Sequence, residues 1–501
     1  MQPQFSKILA SASKTANKNQ LRLSGKVAVE NANSVKILSV VATANCSTSE
    51  VFTGEVRYGG RVDFAVIYLG SESENKRASA SVDFSDKVEN GLIKSGSNAH
   101  LSCVVLDCEI DEITQSEIMV SAIIEITAVL ESEAEITALT DAPDLCCHTK
   151  TVSYDKKQLC SKAVGSADSE SVNTDFVEIL CAEHQAIVLE TSVGVDYLKL
   201  SGKVYTRIVG RRADGLLGEK ELSTPFSEEI TAVGAVTGDI ARVKVSVSAS
   251  ENLSETEQGV IVSYEYALGY DYCVYASTSA QIVTDLFSPQ NKLEITRTTN
   301  EVCYHRVPVS CGERVEGIIT LDDEMPVADN ILCATGVKIA VTNLIAGNGE
   351  VTAEGVVSGN VIYYSGESGG EYSVAIELPF SLPIRCSEVK ASDEIICDSV
   401  VKSVSARLRR GNEIDARVEI ELCLTAFARD SITVVSEVRE GEAIALPSGA
   451  FSIYIANPGE SIWDCCKALC VTPEVITSQN PNLPTTLVGG EKIVIYRQKF
   501  N

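Results

Sequence analysis

One strand-rich pattern occurs three times along this chain of 501 residues. An internal repeat limits the possible folds more than any single motif does. The first copy holds Phe52-Thr-Gly54 and then Glu55-Val-Arg-Tyr-Gly-Gly-Arg-Val-Asp-Phe-Ala-Val-Ile-Tyr-Leu69. The second reads Leu200-Ser-Gly202-Lys-Val-Tyr-Thr-Arg-Ile-Val209, and the third Ala353-Glu-Gly355-Val-Val-Ser-Gly-Asn-Val-Ile-Tyr-Tyr364. A polar turn follows each, then a Phe-Ser pair at Phe84-Ser85, Phe226-Ser227 and Phe380-Ser381. Aligning the copies on Gly54, Gly202 and Gly355 spaces them at nearly equal intervals.

Each copy then closes with two alternating stretches. These are His100 to Ile110 with Glu117 to Val129, Ile240 to Ser248 with Val260 to Leu268, and Ile395 to Leu408 with Glu413 to Ala426. In Arg417-Val-Glu-Ile-Glu-Leu-Cys-Leu424 apolar residues fall at every second position, the period of a strand with one buried face. Hairpins without long amphipathic helices between them predict small antiparallel sandwiches or barrels. The expected fold class is mainly β: three tandem sandwich- or barrel-like domains over 1–138, 170–287 and 300–432, plus a small C-terminal α+β domain over 450–497. The polar stretches Asp141 to Val172, Ser288 to Asp329 and Val435 to Gly449 read as linkers.

Sixty-nine acidic residues against forty-two basic give a net charge of −27. Such a chain repels nucleic acid and anionic membrane surfaces, so a specific partner is expected rather than a charge-driven one. Hydrophobic residues make up 45%, enough for real cores. The N-terminal Met1-Gln-Pro-Gln-Phe-Ser-Lys-Ile-Leu-Ala10 lacks the apolar core of a secretory signal, and no apolar run reaches membrane-spanning length. The expectation is a protein that stays in the compartment where it is made.

Seventeen cysteines are scattered from Cys46 to Cys470 without a Cys-x-x-Cys pair, and there are four histidines. Neither a structural metal nor a cofactor is expected from that spacing. Most cysteines read as small core hydrophobes in reduced form. The doublets Cys146-Cys147 and Cys465-Cys466 cannot easily close on themselves, and a sharper reading makes them thiols for later cross-links to other chains. No nucleophile elbow, phosphate loop or dinucleotide fingerprint occurs, so an enzyme is not expected. The acidic runs Glu131, Glu133, Glu135 and Asp322, Asp323, Glu324 read as solvated surface. His305, two residues from Cys303 on one strand face, reads as structural rather than as part of a cysteine–histidine pair.

The last fifty residues carry a different signature. Tyr454-Ile-Ala-Asn-Pro-Gly-Glu-Ser-Ile-Trp463 gives a strand and turn, with Ser461 placed as an N-cap before an apolar helical run. In Val471-Thr-Pro-Glu-Val-Ile-Thr-Ser-Gln-Asn-Pro-Asn-Leu483, Thr472 and Pro473 repeat the device for a second helix. Leu487-Val-Gly-Gly-Glu-Lys-Ile-Val-Ile-Tyr496 supplies a turn and a β-branched strand. This order resembles a LysM domain, a binding module with βααβ arrangement, and the three β units resemble the SPOCS domain of spore coat and spore envelope proteins.

The combined resemblance implies a non-enzymatic adaptor that assembles on the forespore surface inside the mother cell. Its LysM module would dock to the coat basement-layer ATPase, alongside other coat proteins. The alternative is a cell-wall protein that binds peptidoglycan- or chitin-type glycan, or hydrolyses it with an unrecognised site. The LysM resemblance also implies a groove formed by Gly459, Glu460 and Ser461 together with Asn480, Pro481, Asn482 and Leu483. Glu460 and Ser461 stand where the family usually has Asp and Thr. Trp463, the sole tryptophan, is expected in the core of that module.

Overall fold

The structure is a computed structural model; it describes all residues except 1, 72, 92, 94–97, 257–258, 411, 446–450, 485 and 498–501. The chain is mainly β, with several antiparallel sheets. Six strands come first: β1 (Gln4–Ala28), β2 (Lys36–Phe52), β3 (Glu55–Leu69), β4 (Asn75–Glu89), β5 (Asn98–Ile113) and β6 (Glu117–Asp141). They form two sheets, β1-β6-β5 and the meander β2-β3-β4. Val120, Ile124 and Ile126 of the first sheet pack on Val62, Phe64 and Val66 of the second.

The same order returns twice. β7 (Cys146–Asp168), β9 (Phe176–Val193), β10 (Tyr197–Arg212), β11 (Leu217–Thr231), β12 (Ile240–Thr256) and β13 (Gly259–Phe287) pair as β7-β13-β12 and β9-β10-β11. A two-residue strand, β8 (Val172–Asn173), completes the edge beside β13. In the last third, β14 (Asn291–His305) and β15 (Val309–Thr320) share one edge of β20 (Glu413–Ala443), whose other edge takes β19 (Glu394–Arg410). The meander there is β16 (Asn330–Ala346), β17 (Glu350–Ser365) and β18 (Gly370–Arg385). Pro308, which lacks a ladder N–H, lies in the break between β14 and β15.

Three features depart from the sequence reading. The segments read as linkers are strands: β7 lies in the first, β14 and β15 in the second, and β20 runs on to Ala443 in the third, with 446–450 outside the described residues. The expected boundaries at 300 and 432 fall inside β14 and β20. Second, Gly54 is not the counterpart of Gly202 and Gly355. It sits in the β2–β3 turn with φ +86°, whereas Gly60 is paired with Phe84 as Gly202 is with Phe226 and Gly355 with Phe380. Third, Glu131 is not solvated; it is 4% exposed at a junction between units.

The three sandwiches pack into one body. At one end Leu38 and Ile67, Leu180 and Val209, and Leu332 and Ile362 make a shared apolar cluster with one pair from each copy. At the other end the long outer parts of the first and last strands meet, through Ile8, Ile136, Ile282, Val302 and Val434. Hydrogen bonds cross every junction: Thr335 Oγ1 donates to Ser39 Oγ at 2.7 Å, Gly336 N to Glu183 Oε1 at 2.9 Å, and Asn75 Nδ2 to the Gly215 carbonyl at 3.0 Å. The buried Glu183 carboxylate has this backbone partner in Gly336, which offsets part of its desolvation; burial still pushes it above its usual range.

Candidate functional site at the C-terminal module

The last described elements are β21 (Phe451–Ile455), α1 (Ile462–Leu469), α2 (Pro473–Gln479) and β22 (Lys492–Tyr496). β21 and β22 pair antiparallel, so the order is βααβ. Their inner face buries Ile493 and Ile495 against Cys465, Cys466, Leu469 and Ile476. Helix α1 begins in a capping box: the Asp464 N–H donates to Ser461 Oγ at 3.2 Å and the Ser461 N–H to Asp464 Oδ2 at 3.0 Å. The Ser-x-x-Asp spacing in the sequence already carried the second half of that box. At α2, Pro473 takes the first turn, while Thr472 makes no side-chain cap.

The residues expected to line a groove have mixed fates. Gly459 turns the chain at φ +85°. Glu460 is engaged inside the turn, accepting from Tyr454 Oη at 2.7 Å, Asn457 N at 2.8 Å and Asn457 Nδ2 at 2.9 Å. Those donors, the Asn457 backbone first, hold its carboxyl below the usual range. Ser461 is the cap just described. Asn480 clamps α2 to β22: its Nδ2 donates to the Ile476 and Val494 carbonyls at 3.0 and 2.9 Å, and its Oδ1 accepts from Val494 N at 2.8 Å. Leu483 packs on the module core. Pro481 and Asn482 are exposed.

Trp463 is half-buried: it packs on the core of its own module and also reaches the second sandwich. Its indole Nε1 donates to Asp285 Oδ2 at 2.8 Å, its ring meets Phe287 edge-on at 5.0 Å, and Lys467 pairs with the same Asp285 carboxylate. Phe287 and Cys146 extend the module core across the junction. Sequence periodicity places Trp463 on the apolar side of α1, and it cannot say which element covers that side. Of the cysteine doublets, Cys465 and Cys466 are fully buried, as core residues would be, and Cys146 and Cys147 are half-buried. Burial pushes the Cys466 thiol up to about 12, far from the reactive range.

On its outer face the two-stranded sheet exposes Phe451, Ile453, Ile455 and Tyr496, each more than half accessible. Phe451 stacks on Tyr496 with ring centroids 6.1 Å apart. Neither a scan against protein-family models nor searches of curated proteins and of solved structures found a match to this chain.

Elsewhere, a cleft of about 490 Å³ opens between the second and third sandwiches, bordered by Glu190, Lys199, Val243, Pro308 and Cys423. The histidines are engaged in packing: His184 bonds Thr206 Oγ1 at 2.9 Å, His305 bonds Asp155 Oδ2 at 3.0 Å and stacks on Tyr275, and His148 leans on Trp463. Cys303 is buried on the same strand as His305. No helix among the described residues is long and apolar enough to cross a membrane.

Proposed function

We propose that this protein is a non-enzymatic structural adaptor of the spore coat, made of three SPOCS-like sandwich domains and a LysM-like module that docks to a coat basement-layer protein at the forespore surface. The observation that carries this reading is the outer face of β21 and β22. Phe451, Ile453, Ile455 and Tyr496 form a contiguous apolar strip on a module already anchored to the body through Trp463, Lys467 and Asp285. Exposed apolar strips of this kind mark protein contacts. A glycan groove needs free polar groups, and Glu460, Ser461 and Asn480 are committed to turns, caps and clamps.

The apolar clusters and hydrogen bonds that join the three copies support a scaffold role. The test is a paired pull-down. The full chain is expected to retain a basement-layer coat ATPase, and to lose it in Ile453→Asp or Ile455→Asp variants whose circular dichroism is unchanged. Retention on peptidoglycan or chitin, with no capture of the ATPase, would replace this reading with the cell-wall one.

A further inference from the structure

The junction between the first and second sandwiches holds four donor groups that lie far apart in sequence. His100 on β5 and Glu131 on β6 come from the first sandwich; Cys160 on β7 and Cys273 on β13 come from the second. One ligand atom from each lies within 4.8 Å of all the others. His100, Glu131 and Cys273 are almost wholly buried. Cys160 and Cys273 are direct cross-strand partners, so both side chains leave the same face of the sheet, and they are joined as a disulfide.

The surroundings resemble a built coordination shell more than a chance packing of polar groups. The His100 Nε2 atom faces the Cys273 sulfur at 3.1 Å and Glu131 Oε1 at 3.9 Å. Its other nitrogen, Nδ1, faces Asp271 Oδ1 at 3.5 Å. A carboxylate on the far nitrogen is the usual device that fixes the tautomer of a metal-binding imidazole. Tyr275 donates its hydroxyl to the other oxygen of Glu131, which orients that carboxylate. Arg242 Nη1 stands 3.6 Å from Glu131 Oε1.

We propose that this cluster is a redox-gated zinc-class site: a disulfide when oxidised, and a Cys160, Cys273, His100, Glu131 tetrahedron around one divalent ion when reduced. The reductive step consumes a dithiol. Two electrons and two protons convert the disulfide to two thiols, and the dithiol leaves as its own disulfide. Ion binding then displaces the two thiol protons to solvent. Two thiolates, one carboxylate and a neutral imidazole around a dication carry a net charge of about −1, which Arg242 neutralises. Ligand atoms at zinc–ligand distances of ~2.0–2.3 Å sit ~3.3–3.8 Å apart, so the sulfurs need only separate in place. Two soft thiolates and a borderline imidazole, beside one hard carboxylate, select zinc over magnesium or calcium.

The experiment uses the full chain. It is reduced with dithiothreitol, freed of reductant anaerobically and titrated with Co2+, then Zn2+. The oxidised chain serves as the blank for the remaining fifteen cysteines. One Co2+ per reduced chain is expected, with a thiolate-to-cobalt charge-transfer band and tetrahedral d–d absorption that Zn2+ abolishes. His100→Gln and Glu131→Gln, which keep both cysteines, should each weaken binding at least tenfold. Three results overturn the proposal: equal binding before and after reduction, no stoichiometric binding by the folded reduced chain, or unfolding on reduction even with Zn2+ present.

Discussion

Gly60 on β3 lies directly opposite Phe84 on β4, and the Phe84 ring covers the space that a side chain at 60 would need. The far side is closed as well, because a Cβ there would run into the Asn45 carbonyl of β2. β2 carries a register shift at this point, between Cys46 and Thr48. The second sandwich repeats every part with Gly202, Phe226, the Ile187 carbonyl and a shift beside Val188; the third does so with Gly355, Phe380, the Ala340 carbonyl and a shift between Val341 and Asn343. A bulge bends one strand, glycine admits the close approach, and an aromatic ring covers the bare backbone.

Gly60→Val, Gly202→Val and Gly355→Val should therefore each destabilise their sandwich by overpacking, by about 1–3 kcal/mol or more. Phe380→Ala should cost about 3–5 kcal/mol through the cavity it leaves. Gly54→Ala meets no neighbour and suffers only its positive φ, at about 1–2 kcal/mol. Chemical denaturation of the variants checks the ranking; an equal loss at Gly54 and Gly60 would return the repeat anchor to Gly54.

Asp285 joins the terminal module to the second sandwich by accepting from Trp463 and pairing with Lys467. Asp285→Ala should leave both groups without this partner at a half-buried junction, costing on the order of 1–3 kcal/mol of docking. Trp463 is the only tryptophan, so its fluorescence reports this joint alone. A red shift and easier quenching are expected in the variant, and an unchanged spectrum would mean that Phe287 holds the module unaided.

Asn480 and Asn482 are two residues apart and should behave oppositely. Asn480→Ala removes two hydrogen bonds to Val494 of β22 and one to the Ile476 carbonyl of α2, and should loosen the module. Each orphaned backbone group costs about 1–3 kcal/mol when buried. Asn482→Ala, at an exposed position, should change stability by less than about 0.5 kcal/mol. Hydrogen exchange at Val494 is the readout: fast exchange in the first variant and wild-type protection in the second.

Burial lowers His184 from 6.5 to about 4, beside Tyr264 and Tyr266. The unfolded chain then binds the proton more readily than the folded one between these values, so stability falls as pH drops through that window. The full effect is about 3 kcal/mol. His184→Gln should flatten the difference in unfolding free energy between pH 7 and pH 4.5, relative to wild type. Equal slopes for the two proteins would assign the acid sensitivity to carboxylates instead.

Much of the architecture was legible in one dimension. Alternation in Arg417 to Leu424 and its counterparts states which face is buried, since the strand period is two whatever the partner. The starts of β5, β6, β12, β13, β19 and β20 follow from it closely, whereas β6, β12, β13 and β20 run well past the expected ends at Val129, Ser248, Leu268 and Ala426. Ser461 and Pro473 announce the helices of the terminal module through purely local chemistry. What local pattern lacks is the identity of the opposing surface. Gly54 and Gly60 look alike until β4 brings Phe84 across from one of them. The polar stretches around Cys160 and His305 read as linkers because their partners, such as Cys273 on β13 and Asp155 beside His305, lie more than a hundred residues away in sequence. Trp463 had an apolar side but no visible neighbour. Only the packing of three sheets-on-sheets into one body placed His100, Glu131, Cys160 and Cys273 together, because that junction is made by residues whose separation along the chain carries no periodic signal.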